Sequence, residues 1–403
     1  MNLRDGNLYF KDISNIKYKY EYLSENLECD TVIIGGGISG AITAYYESLK
    51  GNNVILIEKN IIGYGSTMAT TAILEYQIDK DMYKLKKDIG IDNSVKCFEL
   101  CKSAIDDIEK IVNYIEKFNK TDINFKRKKS YYFSNKTIDD KIIDKEYITR
   151  LQHGFNVKKI NNNKLINITN GFYLENGSAI MNPYIFTSEL INVLYKKHNL
   201  KVYENTYCSN IENIGKNILI TTSNDFKITA KKCIITSGFE STPYLNTNLY
   251  SLYRTFTIVT NKLNIDNELL DFTARDTNSP YHYIRFTDDN RIIFGGEDVK
   301  YTKKLQKKEE LEAVASLKYK NLETSFFEIF KDIKNIVFDY KFNGVFADTK
   351  DTLPIIDKVD NLNNVYCNLG YGANGILYSV LGAKILSNTD DMLKYMYLFK
   401  QKR

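Results

Sequence analysis

Three glycines, Gly35, Gly37 and Gly40, and an acid, Glu58, have the types and spacing needed to hold a dinucleotide. Gly35 allows a tight turn, Gly37 lets a pyrophosphate approach the backbone, and Gly40 lets a helix pack closely on a strand. Ile38 and Ser39 would open that helix, whose N-terminal N–H groups attract phosphate charge. Glu58 can accept hydrogen bonds from a ribose 2′-OH and would repel a 2′-phosphate, which disfavours NADP. A second glycine group, Gly370-Tyr371-Gly372-Ala373-Asn374-Gly375, stands far away in sequence.

The elements around these residues have the required order. The apolar run Thr31–Ile34 leads into the first glycine turn, a helical stretch follows, and a second run, Val54–Ile57, ends on Glu58. That is a nucleotide-binding βαβ unit, the alternative being a glycine-rich turn in an unrelated α/β domain. The motif alone fits FAD and NAD equally. The segment 365–386 reads as another strand, glycine turn and helix. A single-piece NAD domain would not need it, so a discontinuous cofactor domain with two insertions is expected, holding FAD.

At 403 residues the chain exceeds one ordinary core and predicts two domains. An apolar fraction of 43% suits a globular protein. The formal net charge is +5, but acids and bases are mixed along the chain, so nucleic-acid binding is not expected. Lys126-Arg127-Lys128-Lys129 reads as a solvated turn before a strand, Ser130–Phe133. The first 28 residues read as a polar, tyrosine-rich lead-in hugging the surface, without the apolar core of a signal peptide. No run of about 18 apolar residues is present, so no membrane span is expected. Six scattered cysteines form no CxxC pair, and the three histidines are dispersed. Cys97 and Cys101 share a helix face and read as small buried side chains, so no metal is expected and a reducing cytoplasm fits.

Further elements follow from periodicity and turn chemistry. The stripe Val95, Phe98, Ile105, Ile108, Val112, Ile115 and Phe118 predicts a helix over about 92–118. Residues 171–181 read as turn-rich, and Pro183 opens a helix to about Lys197. Val202–Asn205 is a strand, 217–229 a hairpin, and Cys233–Thr236 a buried parallel strand. A strand over 252–261, a hairpin over 280–298 turning at Asp288-Asp289-Asn290, a helix near 305–320 and a strand from Phe338 to Phe346 complete the reading.

Together GGGISG with Glu58, GSTMATTAILEYQID (65–79), CIITSGFES (233–241), RIIFGGED (291–298), TKDTLPIID (349–357) and LGYGANGILYS (369–379) resemble the FAD-dependent D-amino acid oxidase superfamily. The branch resembled is that of the glycine, sarcosine and γ-glutamylputrescine oxidases. The resemblance implies an α/β (α+β) two-domain fold. A Rossmann-like FAD domain would be assembled from 1–85, 171–245 and 340–403. A mixed or antiparallel β-sheet substrate domain with helices would be formed by 86–170 and 246–339. It implies FAD contacts from Lys59, from Gly65, Ser66, Thr67 and Thr71, from Thr206, and from Ser237 and Gly238. Gly370, Gly372, Asn374, Gly375 and Ile376 would lie by the isoalloxazine ring, with Tyr371 covering it. The helix after Gly375 would aim its positive end at the flavin N1/C2=O edge, where negative charge develops.

The resemblance also implies oxidation of a C–N bond of an amine or amino acid by hydride transfer to flavin N5, the imine then hydrolysing, with electrons leaving to O2 or a soluble acceptor. The alternatives are a dehydrogenase using a different acceptor and a non-catalytic flavoprotein subunit or redox sensor. Three departures bear on this. Phe346 stands where related enzymes carry a carboxylate-binding Arg, residues 340–357 contain no Cys to tether the flavin, and no Cys-x-His pair is present for a Rieske centre. Non-covalent FAD is therefore expected. Strand alternation places Tyr281, Tyr283 and Arg285 on one face. The tyrosines could cage an amine and Arg285 replace the missing Arg, against a reading of ordinary cross-strand packing with Arg285 exposed. His282 reads as a satisfied sheet histidine, and Tyr253 and Arg254 as weaker candidates.

Overall fold

The computed structural model describes residues 3–244, 249–330, 333–370 and 372–403. Tyr371, expected over the flavin, lies outside the described residues. The apolar runs of the βαβ unit become neighbouring parallel strands, Leu27–Ile34 and Val54–Ile57. Lys201–Tyr203 pairs parallel beyond the second strand, and Lys227–Ile235 and then Val365–Leu369 pair parallel beyond the first. Strands from both ends of the chain thus share one sheet. Alternation assigns its two faces. Ile33, Val54, Leu56 and Ile234 pack under the helices Ile38–Leu49, Pro183–Lys197 and Gly375–Ser387. Val32, Ile34, Ile55 and Ile57 pack against the antiparallel pair Cys208–Ile214 and Asn217–Thr222. Both faces are covered, which is why these strands are continuously apolar.

The second sheet is mixed. Its order runs Arg4–Gly6, Phe338–Thr349, Tyr250–Thr260, Ile292–Lys300, Tyr283–Phe286, Phe272–Asp276, Lys126–Ser134, Asn170–Ile180 and Ile73–Glu75. Phe272–Asp276 runs parallel to Lys126–Ser134, and the other neighbours on this path are antiparallel. Helix Lys308–Ile329 buries Leu322 and Phe326 on one face against Phe256 and Phe294.

Four sequence expectations need correction. Residues 170–180 form a long strand, not a turn-rich piece. Their glycines serve close approach: a Cβ on Gly177 would sit 2.9 Å from the Cβ atoms of Leu174 and Ser130. The basic run 126–129 lies inside a strand, because each cation finds an acid across the surface: Asp288 for Lys126, Asp106 and Glu109 for Arg127, and Asp271 for Lys128 and Lys129. The lead-in does more than hug the surface. Arg4–Gly6 pairs with 342–344, and Leu8, Tyr9 and Phe10 are buried beside Phe342 and Met68. Finally, Ile73–Glu75, Asn170–Ile180 and Phe338–Thr349 all join the second sheet, although most of their residues fall in the expected cofactor segments. Helix Ile91–Glu116, expected with the substrate sheet, packs against Gly375–Ser387. Strand alternation looks alike in either sheet, so the crossing points leave no local signature.

Candidate active site

A cavity of about 550 Å³ is lined from both sheets. At one end, the strand Leu27–Ile34 breaks at Gly35, whose φ of +115° favours glycine and whose Cβ would lie 2.9 Å from Ser237 N. The helix Ile38–Leu49 starts at Gly37 without a side-chain cap. Thr67 Oγ1 accepts the Ile38 N–H at 3.0 Å. A Cβ on Gly37 would meet only Thr67 Oγ1, at 3.2 Å, so its remaining surroundings are open. Gly40 lies outside the cavity wall; its Cβ would fall 1.9 Å from Gly35 O, the close helix–turn packing expected of it. Ser39, Gly65, Ser66 and Thr71 line the wall.

Glu58 follows the second strand and is clamped by two backbone N–H groups, Gly36 and Asn60, each at 2.7 Å. Burial pushes its pKa up in spite of those bonds. Lys59 pairs with Glu240 at 2.8 Å. Thr206 Oγ1 accepts from Leu23 N–H and donates to Glu204 O, and with Ser237 and Gly238 it closes this end.

The far glycine turn meets the same cavity through Gly370, Gly372, Asn374, Gly375 and Ile376. A Cβ on Gly370 would lie 2.3 Å from Gly375 O, and Gly372, with φ +81°, donates its N–H to Ala347 O. The helix Gly375–Ser387 has no side-chain cap, and Asn374 Nδ2 donates to Gln77 O instead. Two helix N-termini therefore border one cavity, that of Ile38–Leu49 met at Ile38 by Thr67 and that of Gly375–Ser387 without a side-chain cap.

At the other end the second sheet supplies the wall. The Tyr281 hydroxyl donates to Asp79 Oδ1 at 2.7 Å, and Asp79 Oδ2 accepts the Ala373 N–H at 3.0 Å. One carboxylate thus ties Tyr281 to the far glycine turn. Tyr283 stands opposite Gly295, where a Cβ would be 2.2 Å from its ring, and its hydroxyl bonds Thr255 Oγ1 at 2.8 Å. The two tyrosine rings lie 6.4 Å apart. Phe346 lines the cavity and stacks on Tyr253, which does not.

Arg285 is neither in the cavity nor exposed. Its guanidinium lies over Phe10 and donates to the carbonyls of Thr71, Ala72 and Met181. Arg285 follows Tyr283 by two strand positions, about 7 Å, which carries it past the wall. Arg254 Nη1 donates to Asn343 Oδ1. His282 is buried, stacked on Phe294 and bonded through Nδ1 to Asp276 at 2.7 Å.

Wall residues that escaped the sequence reading include, at the end nearest the tyrosines, the polar or acidic Glu75, Gln77, Asp79 and Asp298. A fifth, Arg275, is the cation of this end, and it donates to Ile78 O, Asp79 O and Asp81. Burial pushes Glu75 up to about 7. Burial, with the charges of Asp79 and Glu297, pushes Asp298 up to about 6. Alternation at 75, 77 and 79, following a Gly/Thr-rich loop, is the signal that could have found the first three. Among the described residues no group of three His, Cys, Asp or Glu is arranged to hold a metal ion.

The family model described as DAO, FAD dependent oxidoreductase, matches residues 30–389. The chain belongs to this family. Its cofactor is FAD, and the wall fits that group: Gly37 leaves the approach a pyrophosphate needs, two helix N-termini border it, and Glu58 lies where the second strand ends. Over 400 residues the chain is 21% identical to γ-glutamylputrescine oxidoreductase of Escherichia coli, covering 94% of this chain and 87% of that one. A putative Rieske iron–sulfur protein of Bacillus subtilis is 36% identical over 105 residues, and the match spans only 20% of that protein's length. Among solved structures, glycine oxidase from Geobacillus kaustophilus superposes with a TM-score of 0.75 at 17% identity, covering 92% of this chain and 95% of that one. L-proline dehydrogenase from P. horikoshii gives 0.72 at 17% identity, covering 94% and 98%. These likenesses establish the shared fold. No helix among the described residues is long and apolar enough to cross a membrane.

Proposed function

We propose that this FAD-dependent oxidoreductase oxidises a C–N bond of a small amine or amino acid derivative, holding its FAD non-covalently. The observation that carries the reading is the continuity of one cavity from the glycine turns to a chamber walled by Tyr281, Tyr283 and Phe346. The names of the relatives, which act on amines and amino acids, support it. When bound, the flavin supplies a hydride acceptor at N5, so the substrate carbon beside nitrogen is oxidised and the imine hydrolyses.

The protein's own part is positioning. Asp79 fixes Tyr281 against the 370–375 turn, and Thr255 and Gly295 fix Tyr283. The N-terminus of Gly375–Ser387 holds a partial positive charge at the cavity wall, where it can stabilise developing negative charge. The aromatic faces exclude water and suit a nitrogen cation.

The test is anaerobic reduction of the purified yellow protein by a panel of amines and amino acids, followed by air. Bleaching by at least one compound is expected. Rapid recolouring identifies O2 as acceptor, and slow recolouring another soluble acceptor. A panel that never bleaches a flavin reducible by dithionite would overturn the reading.

A further inference from the structure

The family match starts at residue 30, yet residues ahead of it reach the cofactor cavity. Strand Arg4–Gly6 pairs antiparallel with Phe342, Asn343 and Gly344 and covers that edge of the second sheet. On either side of the pairing, Val345 donates its N–H to Leu3 O at 2.9 Å and Asn7 donates to Lys341 O at 3.0 Å. Leu3 lines the cavity beside Val345 and Phe346.

The same strand grips the facing wall. Arg4 Nε donates to Tyr64 O at 2.6 Å, and the guanidinium lies over the Tyr64 ring at 4.3 Å from its centroid. The Leu3 side chain stands beside Gly65, where an added Cβ would meet Leu3 Cδ1 at 4.0 Å. The loop held in this way, residues 64–67, lines the cavity, and its Thr67 accepts the Ile38 N–H at the start of the helix that follows Gly37. Tyr64 and Ser66 are exposed, so the wall here is a single loop thick.

The strand is held firmly at one end only. Asp5, Gly6 and Asn7 are exposed, whereas Leu8, Tyr9 and Phe10 are buried. Gly6 joins the two parts with a φ of +87°, a left-handed conformation that lets the chain change direction. A short exposed pairing next to a buried anchor opens locally without global unfolding. We propose that strand Arg4–Gly6 is a strap that retains FAD, that Arg4 positions loop 64–67 at the cavity wall, and that FAD exchange requires the strap to peel back at Gly6. Retention of this kind involves the cofactor alone and holds whatever the substrate is.

The test uses the full-length holoprotein. FAD release on dilution is followed by the rise of free-flavin fluorescence. Arg4→Ala removes the grip on Tyr64. Gly6→Val disrupts the pairing, because its Cβ would fall 2.3 Å from Lys341 O on a backbone that Val rarely adopts. Both variants should release FAD about tenfold or more faster than the wild type. Arg4→Lys should fall between, since Lys keeps a donor but loses the planar stack. Arg4→Ala should also lower the unfolding temperature of the holoprotein more than that of the apoprotein. In the wild type, which needs no variant to fold, the Asn7 and Val345 amides should exchange hydrogen about tenfold or more faster without FAD than with it. Unchanged FAD release in Arg4→Ala, an equal loss of unfolding temperature with and without FAD, or equal exchange of the two amides in both forms would each overturn the strap.

Discussion

Three main-chain carbonyls accept from Nη1 of the Arg285 guanidinium, whose Nε is buried without a hydrogen-bond partner among the described residues, and two of them, at Thr71 and Ala72, belong to the loop that lines the cavity. Burial also pushes its pKa down to about 10, so its charge is held at some cost. Arg285→Ala should therefore destabilise the protein by roughly 3 kcal/mol, since it orphans buried acceptors. Chemical denaturation measures this. The apparent KM of the surviving enzyme for a good amine should stay within about twofold. A tenfold rise in KM without loss of stability would instead make Arg285 a substrate ligand. Gly37 behaves oppositely. A Cβ there meets only Thr67 Oγ1, so Gly37→Val should fold, with near-normal circular dichroism, yet lose most of its 450 nm flavin absorbance. Normal occupancy would move the phosphate site elsewhere. Glycine roles of this kind are legible in sequence because the residue type carries the geometry. Asp79, Arg275 and Asp298 were not legible. Each acts through partners far away in the chain, such as Asp79 with Tyr281 and Ala373, and an Asp in a strand pattern looks the same whether it faces water or a cavity.

Among elements, the strands Tyr283–Phe286 and Ile292–Lys300 show how a pairing register becomes a site. Tyr283 lies across Gly295, so the missing side chain of one strand makes room for the ring of the other. Gly295→Val should push Tyr283 off this position. Flavin content should be retained, while kcat/KM for the best amine falls about tenfold or more, measurable by steady-state kinetics at matched FAD loading. Loss of flavin with the ring still in place would show that Gly295 serves the cofactor instead. The hairpin itself was readable from alternation and its Asp-Asp-Asn turn. So were the βαβ unit and the proline-led helix Pro183–Lys197, where Asn182 caps two N–H groups. The strand Asn170–Ile180 was not, because its glycines and Asn176 mimic turn signals while the neighbouring strand Lys126–Ser134 supplies the pairing. Tertiary pairing there overrides local propensity.

For the whole molecule, the acidic chamber sets the pH response. Burial raises Glu75 and Asp348 to about 7 and Asp298 to about 6, so folding takes up protons at these groups near neutral pH. Their contribution to stability therefore grows as pH falls from about 8 to about 5, and levels off once the unfolded chain is protonated too, below about pH 4. Surface carboxylates act in the other direction. Lys231 holds Asp30, and Lys159 holds Asp144, below the usual range, and that stability is lost only as pH falls below about 4. Unfolding temperature should thus peak on the acid side of neutrality, between about pH 4.5 and 6. A Glu75→Gln/Asp298→Asn variant should show a flatter limb between pH 5 and 8. A wild-type limb that falls with acidification over that range would contradict the raised carboxylates.

The sharing of the first sheet by distant segments has a consequence for how the molecule is made. Lys227–Ile235 pairs with Leu27–Ile34 on one side and with Val365–Leu369 on the other, and helix Gly375–Ser387 packs on Ile38–Leu49. Until the ribosome has released residues 365–387, an apolar edge stays bare and an apolar helix face stays uncovered. Such surfaces capture other nascent chains before they capture their own partner. The phosphate cradle at Gly37 is therefore synthesised long before the turn at Gly372 that completes the same cavity, so the cofactor must wait for nearly all of this chain, and slower, cooler synthesis in cells rich in riboflavin should raise the yield of yellow protein.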